Sequence, residues 1–269
     1  MRLDALTYRY PGPGSFCLGP LNVEGPDDRP WLVLGASGSG KSTLLRLLGG
    51  SLRPTAGRVR GLAPLGSAAY LPQLPERALA GRNLAEDLCG DARPPRSRRS
   101  ELRAVLRAVD LVDAGLSRPS RTLSAGERRR AAIALLLLSG HDHWALDEPD
   151  AALDATGVDR VVTLLRERNE SMRGGLWVTT HRHEAFVSLR PWVLVLDRGR
   201  AVATGEIGEV LRKSEVARLV ALTHRPATRL WNALREAGGT GWGRLDEAAP
   251  KTSKHAQLHT LLSSEAGLG

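Results

Sequence analysis

The sequence has few cysteines, few lysines and no long apolar run. Its two cysteines, Cys17 and Cys89, form no metal-binding or redox spacing, so free thiols in a reducing compartment are expected. The longest purely apolar run, 131–138, is far shorter than the roughly 20 residues that cross a bilayer. The N-terminus, MRLDALTYRY, has no apolar core of a secretion signal. These absences argue against a disulfide scaffold and a bilayer-spanning helix, and they predict a cytosolic protein.

The positive charge is carried almost entirely by arginine. The formal net charge is +9, yet only Lys41, Lys213, Lys251 and Lys254 are lysines. A basic chain suits nucleic acid, an anionic membrane surface or a nucleotide ligand, and the charge alone does not choose among them. With 42% hydrophobic and 25% charged residues, the composition is that of a globular protein with a sizeable core.

Short apolar stretches alternate with helical spacing along most of the chain. Strands are predicted at 6–10, 16–23, 31–34, 57–60, 144–146, 176–180, 192–196 and 201–203, and helices at 41–48, 125–138, 158–168 and 184–189, while 68–71 is a brief apolar run. Strands that alternate with helices indicate an α/β fold, with a mostly parallel sheet and helices on both faces after an antiparallel N-terminal β part.

The segment 82–138 is almost entirely helical, apart from an arginine-rich loop that starts at Pro94 and ends at Arg99. We interpret it as a helical subdomain inserted into an α/β core formed by 1–81 and 139–212. Residues 213–269 are a C-terminal extension, with helices predicted at 214–222 and 227–237 and a weakly patterned tail. Its role, in dimerisation or regulation or as a largely flexible segment, stays open.

A glycine-rich stretch follows the predicted strand 31–34. Its sequence, GASGSGKS, fits G-x-x-x-x-G-K-[ST] and precedes a predicted helix, which is the context of a phosphate-binding loop. The candidate nucleotide-binding residues are Gly35, Ala36, Ser37, Gly38, Ser39, Gly40, Lys41, Ser42 and Thr43. In such a loop, backbone N–H groups surround the phosphates, the lysine adds charge at the β- and γ-phosphates, and the serine hydroxyl is a ligand of Mg²⁺. The flanks disfavour the alternative, a glycine-serine turn with a solvated lysine.

A second motif, WALDEP (144–149), places two carboxylates at the end of a core strand, where α/β sheets bind ligands. Asp147 is the candidate Mg²⁺ ligand, directly or through water, and Glu148 is the candidate general base for an attacking water. Alone, Asp-Glu-Pro is more often an ordinary strand exit, and the phosphate loop is what favours the catalytic interpretation. Together the two motifs predict a P-loop NTPase core.

Three single residues depend on this context. Gln73, at the boundary between core and helical segment, could sense Mg²⁺ and water. His181 follows the strand LWVTT and could reach a γ-phosphate, with His183 as the competing candidate. Tyr10 precedes a Pro-Gly turn and could stack on an adenine, with Tyr8 as its competitor. Without the phosphate loop, each would more often be structural.

The stretch TLSAGERRRAAIALLLL (122–138) begins with Ser124 followed three residues later by Glu127, which is the spacing of a helix capping box. A helix N-terminus is also a ready site for an anion. Capping alone explains both residues, and nothing inside the stretch decides between the two interpretations.

Taken in order along residues 1–212, these motifs resemble the nucleotide-binding subunits of ABC transporters. They are GASGSGKS, Gln73, LSAGE (123–127), WALDEP, ALD (152–154) and TTH (179–181). The resemblance implies a head-to-tail dimer, with a copy of the chain or a related subunit, that holds two ATP molecules. It implies that Ser124 and Gly126 contact the γ-phosphate in trans and that Asp154 lies at the protomer interface.

The resemblance further implies a transmembrane coupling subunit, peripheral association with the cytoplasmic face of the cell membrane, and no nucleic-acid partner. The stretch QLPERALAGRNLAEDLCG (73–90) looks like the Q-x-P-E…D-x-x-x-G region of energy-coupling factor importers and their cobalt/nickel relatives. Those systems take up vitamins or transition-metal ions.

The chain departs from the family pattern at Ala125, where glycine is usual, at Glu127, where glutamine is usual, and at Asp150, where threonine is usual. These departures bear on turnover rather than on the fold. Two alternatives stay open: an ABC-type ATPase that acts on nucleic acid or in cofactor assembly, and a degenerate regulatory partner within a heterodimer.

Overall fold

The computed structural model describes residues 1–61, 68–74, 79–171 and 174–211. The predicted helices at 214–222 and 227–237, the rest of the extension 213–269, and Pro75 and Glu76 of the importer-like stretch lie outside these residues. The strands are β1 (Arg2–Arg9), β2 (Cys17–Glu24), β3 (Trp31–Leu34), β4 (Ala56–Arg60), β5 (Ala68–Leu71), β6 (His143–Asp147), β7 (Leu176–Thr179), β8 (Trp192–Asp197) and β9 (Arg200–Glu206). The helices are α1 (Lys41–Leu48), α2 (Leu84–Cys89), α3 (Arg96–Ala108), α4 (Ala125–Leu138), α5 (Ala155–Ser171), α6 (His183–Phe186) and α7 (Ile207–Leu211).

The central sheet has the strand order β5-β6-β7-β3-β8-β9. All neighbouring strands in it are parallel except β8 and β9, which form an antiparallel hairpin at one edge. Strands β3 and β7 are buried along their whole length, as expected where helices cover both faces of a parallel sheet. The mostly parallel sheet is therefore confirmed. Because β5, β6, β7 and β3 run parallel, their carboxyl ends lie together on one side of the sheet.

A smaller antiparallel sheet, in the order β2-β1-β4, confirms the predicted N-terminal β part. Its apolar side chains share one buried cluster with helix α1 and with one face of the central sheet. In that cluster the rings of Trp31 and Trp177 stack with their centroids 4.6 Å apart. The phosphate loop is thus carried on a well-packed strand and helix.

The segment 82–138 is mostly helical, as predicted, with α2, α3 and α4, and α4 packs against both α2 and α3. The boundary of α3 differs from the prediction: the helix begins at Arg96, whereas the arginine-rich loop was expected to end at Arg99. Pro95 caps this helix with an extended backbone, and its carbonyl accepts a hydrogen bond from the Arg99 N–H (3.0 Å). Proline prevents a helix from continuing through it but is tolerated at the start of one, and arginine is a good helix former. The helix can therefore begin directly after Pro95.

Candidate active site

The phosphate loop connects β3 to α1 through three glycines with positive φ: Gly35 (142°), Gly38 (77°) and Gly40 (106°). A Cβ atom on Gly35 would lie 2.1 Å from the carbonyl oxygen of Leu196. A Cβ atom on Gly40, the N-cap of α1, would lie 2.7 Å from a methyl carbon of Leu18. Both positions therefore require glycine, because of their backbone angles and because neighbouring atoms leave no room.

Lys41 lies across this loop. Its ammonium donates hydrogen bonds to the carbonyl oxygens of Gly35 (2.8 Å) and Ala36 (3.0 Å). Burial lowers the pKa of Lys41, and the carboxylates of Glu148 and Asp147 act in the opposite direction. The positive charge of Lys41 therefore lies on the loop, where it interacts electrostatically with both carboxylates.

The remaining loop residues differ in exposure. Ser37 is exposed and Ser42, the second residue of α1, is half-buried, whereas Ser39 is buried. The hydroxyl oxygens of Thr43 and Tyr10 lie 3.2 Å apart. The Tyr10 ring meets that of Tyr8 edge to face, with centroids 4.9 Å apart. Tyr10 therefore touches the start of α1 and Tyr8 packs behind it.

Asp147 and Glu148 lie at the end of β6, beside the end of β7. Asp147 is buried, and its two carboxylate oxygens accept hydrogen bonds from Thr179 Oγ1 (2.7 Å) and the Tyr70 hydroxyl (3.4 Å). Glu148 has a φ of 52°, and its N–H donates to the Thr179 carbonyl oxygen (3.0 Å). A left-handed backbone is uncommon outside glycine, and here it turns the chain sharply after the strand.

The carboxylate of Glu148 lies between the two other predicted polar residues. Its Oε1 is 2.8 Å from His181 Nε2, and its Oε2 accepts a hydrogen bond from Gln73 Nε2 (3.2 Å). Glu148 is largely buried, whereas His181 is half-exposed. The competing candidate, His183, is buried. The ends of β5, β6 and β7 thus bring Gln73, Glu148 and His181 together.

The start of α4 has the predicted capping box. Ser124 Oγ accepts a hydrogen bond from the Glu127 N–H (3.2 Å), and the Glu127 carboxylate accepts one from the Ser124 N–H (2.7 Å). The same carboxylate forms a two-point contact with Arg118, at 2.8 and 3.2 Å. The hydrogen bond from Ser124 and the guanidinium of Arg118 hold the pKa of Glu127 below its ordinary value. Glu127 therefore folds back onto its own helix, with its charge paired.

Asp154 and Gly126 lie on neighbouring segments. The Asp154 carboxylate accepts a hydrogen bond from the Gly157 N–H (2.9 Å) and so caps α5. A Cβ atom on Gly126 would lie 3.1 Å from the Ala152 carbonyl oxygen. Ser124 and Asp154 are both exposed. Among the described residues, no hydrogen bond joins 124–126 to the phosphate loop of the same chain.

The family pattern described as "ABC transporter" matches residues 18–151. The chain is 34% identical to the cobalt import ATP-binding protein CbiO of Rhodobacter capsulatus, over 93% of this chain and 92% of that protein. The chain belongs to the ABC transporter family. It is also 31% identical to the nickel import ATP-binding protein NikO of the same organism, over 80% of this chain and 92% of that protein.

A solved ABC structure, CbiO1 from Clostridium perfringens, superposes with a TM-score of 0.64 at 25% identity. The match covers 87% of this chain and 98% of that one, and that protein is described as part of the ABC transporter complex CbiONQ. As a member of the ABC family, this chain is an ATP-binding and ATP-hydrolysing subunit. Within its described residues, no helix is long and apolar enough to span a bilayer.

Sequence reasoning missed several residues of this ABC site. Thr179 bridges Asp147 and the Glu148 backbone, and its signal was a polar residue closing the otherwise apolar strand LWVT. Arg129, which is buried in α4, donates hydrogen bonds to the carbonyl oxygens of Pro72 (2.9 Å) and Gln73. Arg118 pairs with Glu127 across nine residues. The two arginines carried no signal, because each stands among many others in an arginine-rich sequence.

Proposed function

We propose that this chain is the ATPase subunit of an importer and that it works as a head-to-tail dimer with two shared ATP sites. The observation that carries the proposal is the placement of Glu148 between Gln73 and His181, at the strand edge next to the glycine loop. ATP hydrolysis needs a phosphate cradle, a positive charge and a base in one place. The edge where β3, β5, β6 and β7 end supplies all three.

The phosphate loop fits the triphosphate of ATP. Because Gly35 and Gly40 must be glycine, the backbone of the loop carries no side chains at these two positions. The ammonium group of Lys41 lies against the same loop. Residues 35–43 would bind the phosphates, and Tyr10 would stack on the adenine. The hydroxyl of Tyr10 beside Thr43 sets that ring next to the first turn of α1.

The donor set fits Mg²⁺ as well, because Ser42, Asp147 and Gln73 offer only oxygen ligands to a metal that prefers oxygen. Among the described residues, no group of three or more His, Cys, Asp or Glu side chains could hold a metal ion. Such a site suits Mg²⁺ shared with phosphate oxygens and water rather than a protein-only metal centre. When bound, the ion neutralises charge on the phosphates.

The other roles follow from position. Glu148 accepts a proton from the attacking water, and the contacts from Gln73 and His181 keep its carboxylate in place before nucleotide arrives. His181 is also the residue of this group that reaches the γ-phosphate. Thr179 orients the Asp147 carboxylate through its 2.7 Å hydrogen bond.

The dimer is inferred from the exposed start of α4. The backbone N–H groups of Ala125 and Gly126, for which the described residues show no acceptor, and the helix dipole favour an anion. The partner's γ-phosphate is the anion we assign to Ser124 and Gly126. Ala125 keeps its backbone N–H, and the charge of Glu127 is paired with Arg118. Asp154, beside Gly126, then lies at the protomer interface.

For transport, we infer that the chain associates with a transmembrane coupling subunit at the cytoplasmic face of the membrane. The relatives named as cobalt and nickel import ATP-binding proteins, and the one that is part of an ABC transporter complex, support this inference. A transition-metal ion is the favoured cargo and a vitamin the second. We also propose that residues 1–212 form the ATPase domain and that residues 213–269 are a C-terminal extension.

The Glu148→Gln variant tests the catalytic assignment. We expect ATP hydrolysis to fall by about a thousandfold while ATP binding persists, so that the variant elutes as an ATP-bound dimer. Glu24→Gln, a change at an exposed glutamate of β2, is the matched control and keeps wild-type turnover. Wild-type hydrolysis by Glu148→Gln would show that Glu148 is not the base.

The transport assignment needs a separate test. The wild-type chain is purified from native membranes, and the co-eluting subunits are identified by mass spectrometry. A small integral-membrane partner supports an importer. Co-elution of nucleic acid or of a cytosolic scaffold instead would contradict it and favour the ABC-type ATPases that act away from membranes.

A further inference from the structure

Asp150 is a buried carboxyl group that the roles assigned above do not use. It is only 3% exposed and lies two residues after Glu148, in the loop that leaves β6. One oxygen, Oδ2, accepts a hydrogen bond from Thr180 Oγ1 at 2.7 Å. The other oxygen, Oδ1, has no hydrogen-bond partner among the described residues. A half-satisfied carboxyl is costly to bury, so its position calls for an explanation.

The partner of Asp150 organises the turn around His181. The Thr180 hydroxyl donates its proton to Asp150, and its oxygen accepts a hydrogen bond from the Arg182 N–H at 2.8 Å. The hydroxyl of Thr180, which precedes His181, is therefore bonded both to Asp150 and to the backbone of Arg182, which follows His181. The imidazole of His181 leaves this turn and meets Glu148 at 2.8 Å.

The loop that carries Asp150 holds an unusual backbone. Glu148 (φ 52°) and Ala152 (φ 62°) are both left-handed, and Asp150 lies midway between them. Its carbonyl oxygen accepts a hydrogen bond from the Leu153 N–H (3.3 Å), and the Glu148 carbonyl accepts one from the Ala151 N–H (3.0 Å). Left-handed backbone at non-glycine residues persists only where the surroundings fix it. The buried side chain of Asp150 joins this loop to Thr180.

We propose that Asp150 is a positioning residue for ATP hydrolysis, whose hydrogen bond to Thr180 fixes the His181 turn against the Glu148 loop. The inference rests on the roles proposed for Glu148 and His181. Asp150 is buried and contacts Thr180 rather than Glu148 or His181, and burial raises the pKa of its carboxyl. The proposed role depends on the hydrogen bond between Thr180 and Asp150 and involves no proton transfer by Asp150.

Four variants test the hydrogen bond in the full-length protein. Asp150→Ala removes the acceptor and Thr180→Val removes the donor, and we expect each to lower kcat about tenfold while KM for ATP stays within about twofold. The matched controls, Asp150→Asn and Thr180→Ser, keep an acceptor and a donor and should retain most of kcat. If Asp150→Ala does not fold, Thr180→Val and Thr180→Ser still test the same bond.

A second arm shows whether Asp150 acts through His181. In a His181→Ala background, Asp150→Ala or Thr180→Val should cause no further loss of kcat. A fully additive loss, a change in KM alone, or equal damage from Asp150→Asn and Asp150→Ala would overturn the inference. If His181→Ala leaves kcat unchanged, the proposed role of His181 is wrong, whereas a loss in His181→Ala without one in Asp150→Ala refutes only the role of Asp150.

Discussion

Replacing Arg118 with methionine tests whether the unusual Glu127 is tolerated because it is paired. The variant loses two guanidinium–carboxylate contacts, at 2.8 and 3.2 Å, and two hydrogen bonds to Thr122, one to its carbonyl oxygen at 3.0 Å and one to its hydroxyl oxygen at 3.3 Å. A well-made charge-assisted contact contributes about 1.5–3 kcal/mol, and an exposed pair less than about 1 kcal/mol. The two side chains are 34% and 20% exposed, so we expect a loss of about 1–2 kcal/mol in the free energy of unfolding.

Urea denaturation followed by circular dichroism measures this loss, and Glu127→Gln is the control. Glutamine keeps an oxygen for the Ser124 N–H but removes the charge, so Arg118→Met should cost much less in that background. A loss of the same size in both backgrounds would show that Arg118 stabilises the fold through Thr122 and not through Glu127.

The same pair of variants has a functional readout. Without Arg118, an unpaired carboxylate stands at a helix start that we assign to the partner's ATP, so KM for ATP should rise. Glu127→Gln in the Arg118→Met protein should then restore KM, because the repulsion disappears with the charge. If Arg118→Met leaves KM at the wild-type value, the Glu127 carboxylate is not close enough to the bound ATP to repel its phosphates.

Three further outcomes are expected. Gly35→Ala should prevent ATP binding, measured by calorimetry, because its Cβ atom would lie 2.1 Å from the Leu196 carbonyl oxygen. Trp177→Ala should lower the free energy of unfolding by about 3–5 kcal/mol, because a side chain that is 1% exposed and stacked on Trp31 leaves a cavity. Burial raises the pKa of Asp150 above its ordinary 3.8, so the folded state favours the protonated acid, and the stability it contributes at low pH is lost as the pH rises. Asp150→Asn cannot titrate, so the free energy of unfolding of this variant relative to wild type should increase as the pH rises above 3.8, the ordinary pKa of the carboxyl. A constant difference would contradict the raised pKa.

The parts of the site that the sequence predicted are those set by local chemistry. The phosphate loop is a run of adjacent residues whose glycines need positive φ, and the capping box of Ser124 and Glu127 spans a single helical turn. Asp147 and Glu148 were found because a strand ends there. Each feature depends on backbone rules that act over a few residues.

The parts that were not predicted depend on register between distant segments. Asp147 lies opposite Thr179 because β6 and β7 pair in one particular register, which neither strand specifies alone. Asp154 was predicted only as an interface residue, yet it also caps α5, which begins at Ala155 and not at Val158. The contacts of Arg118 and Arg129 require the helical segment to be folded against the core. One arginine among many gives no sequence signal for such a contact.

The hydrogen bonds from Arg129 to the carbonyl oxygens of Pro72 and Gln73 couple the position of α4 to that of the Gln73 segment. Helix α4 is a rigid element with Ser124 at its N-terminus. Less than two turns along it, Arg129 connects the helix by hydrogen bonds to the segment that contains Gln73. A displacement of the segment at the exposed Leu74 would therefore be transmitted through Arg129 to the start of α4. With the roles proposed above for Gln73 and Ser124, a subunit that contacts this segment would act on two ATP sites, the protomer's own through Gln73 and the partner's through Ser124.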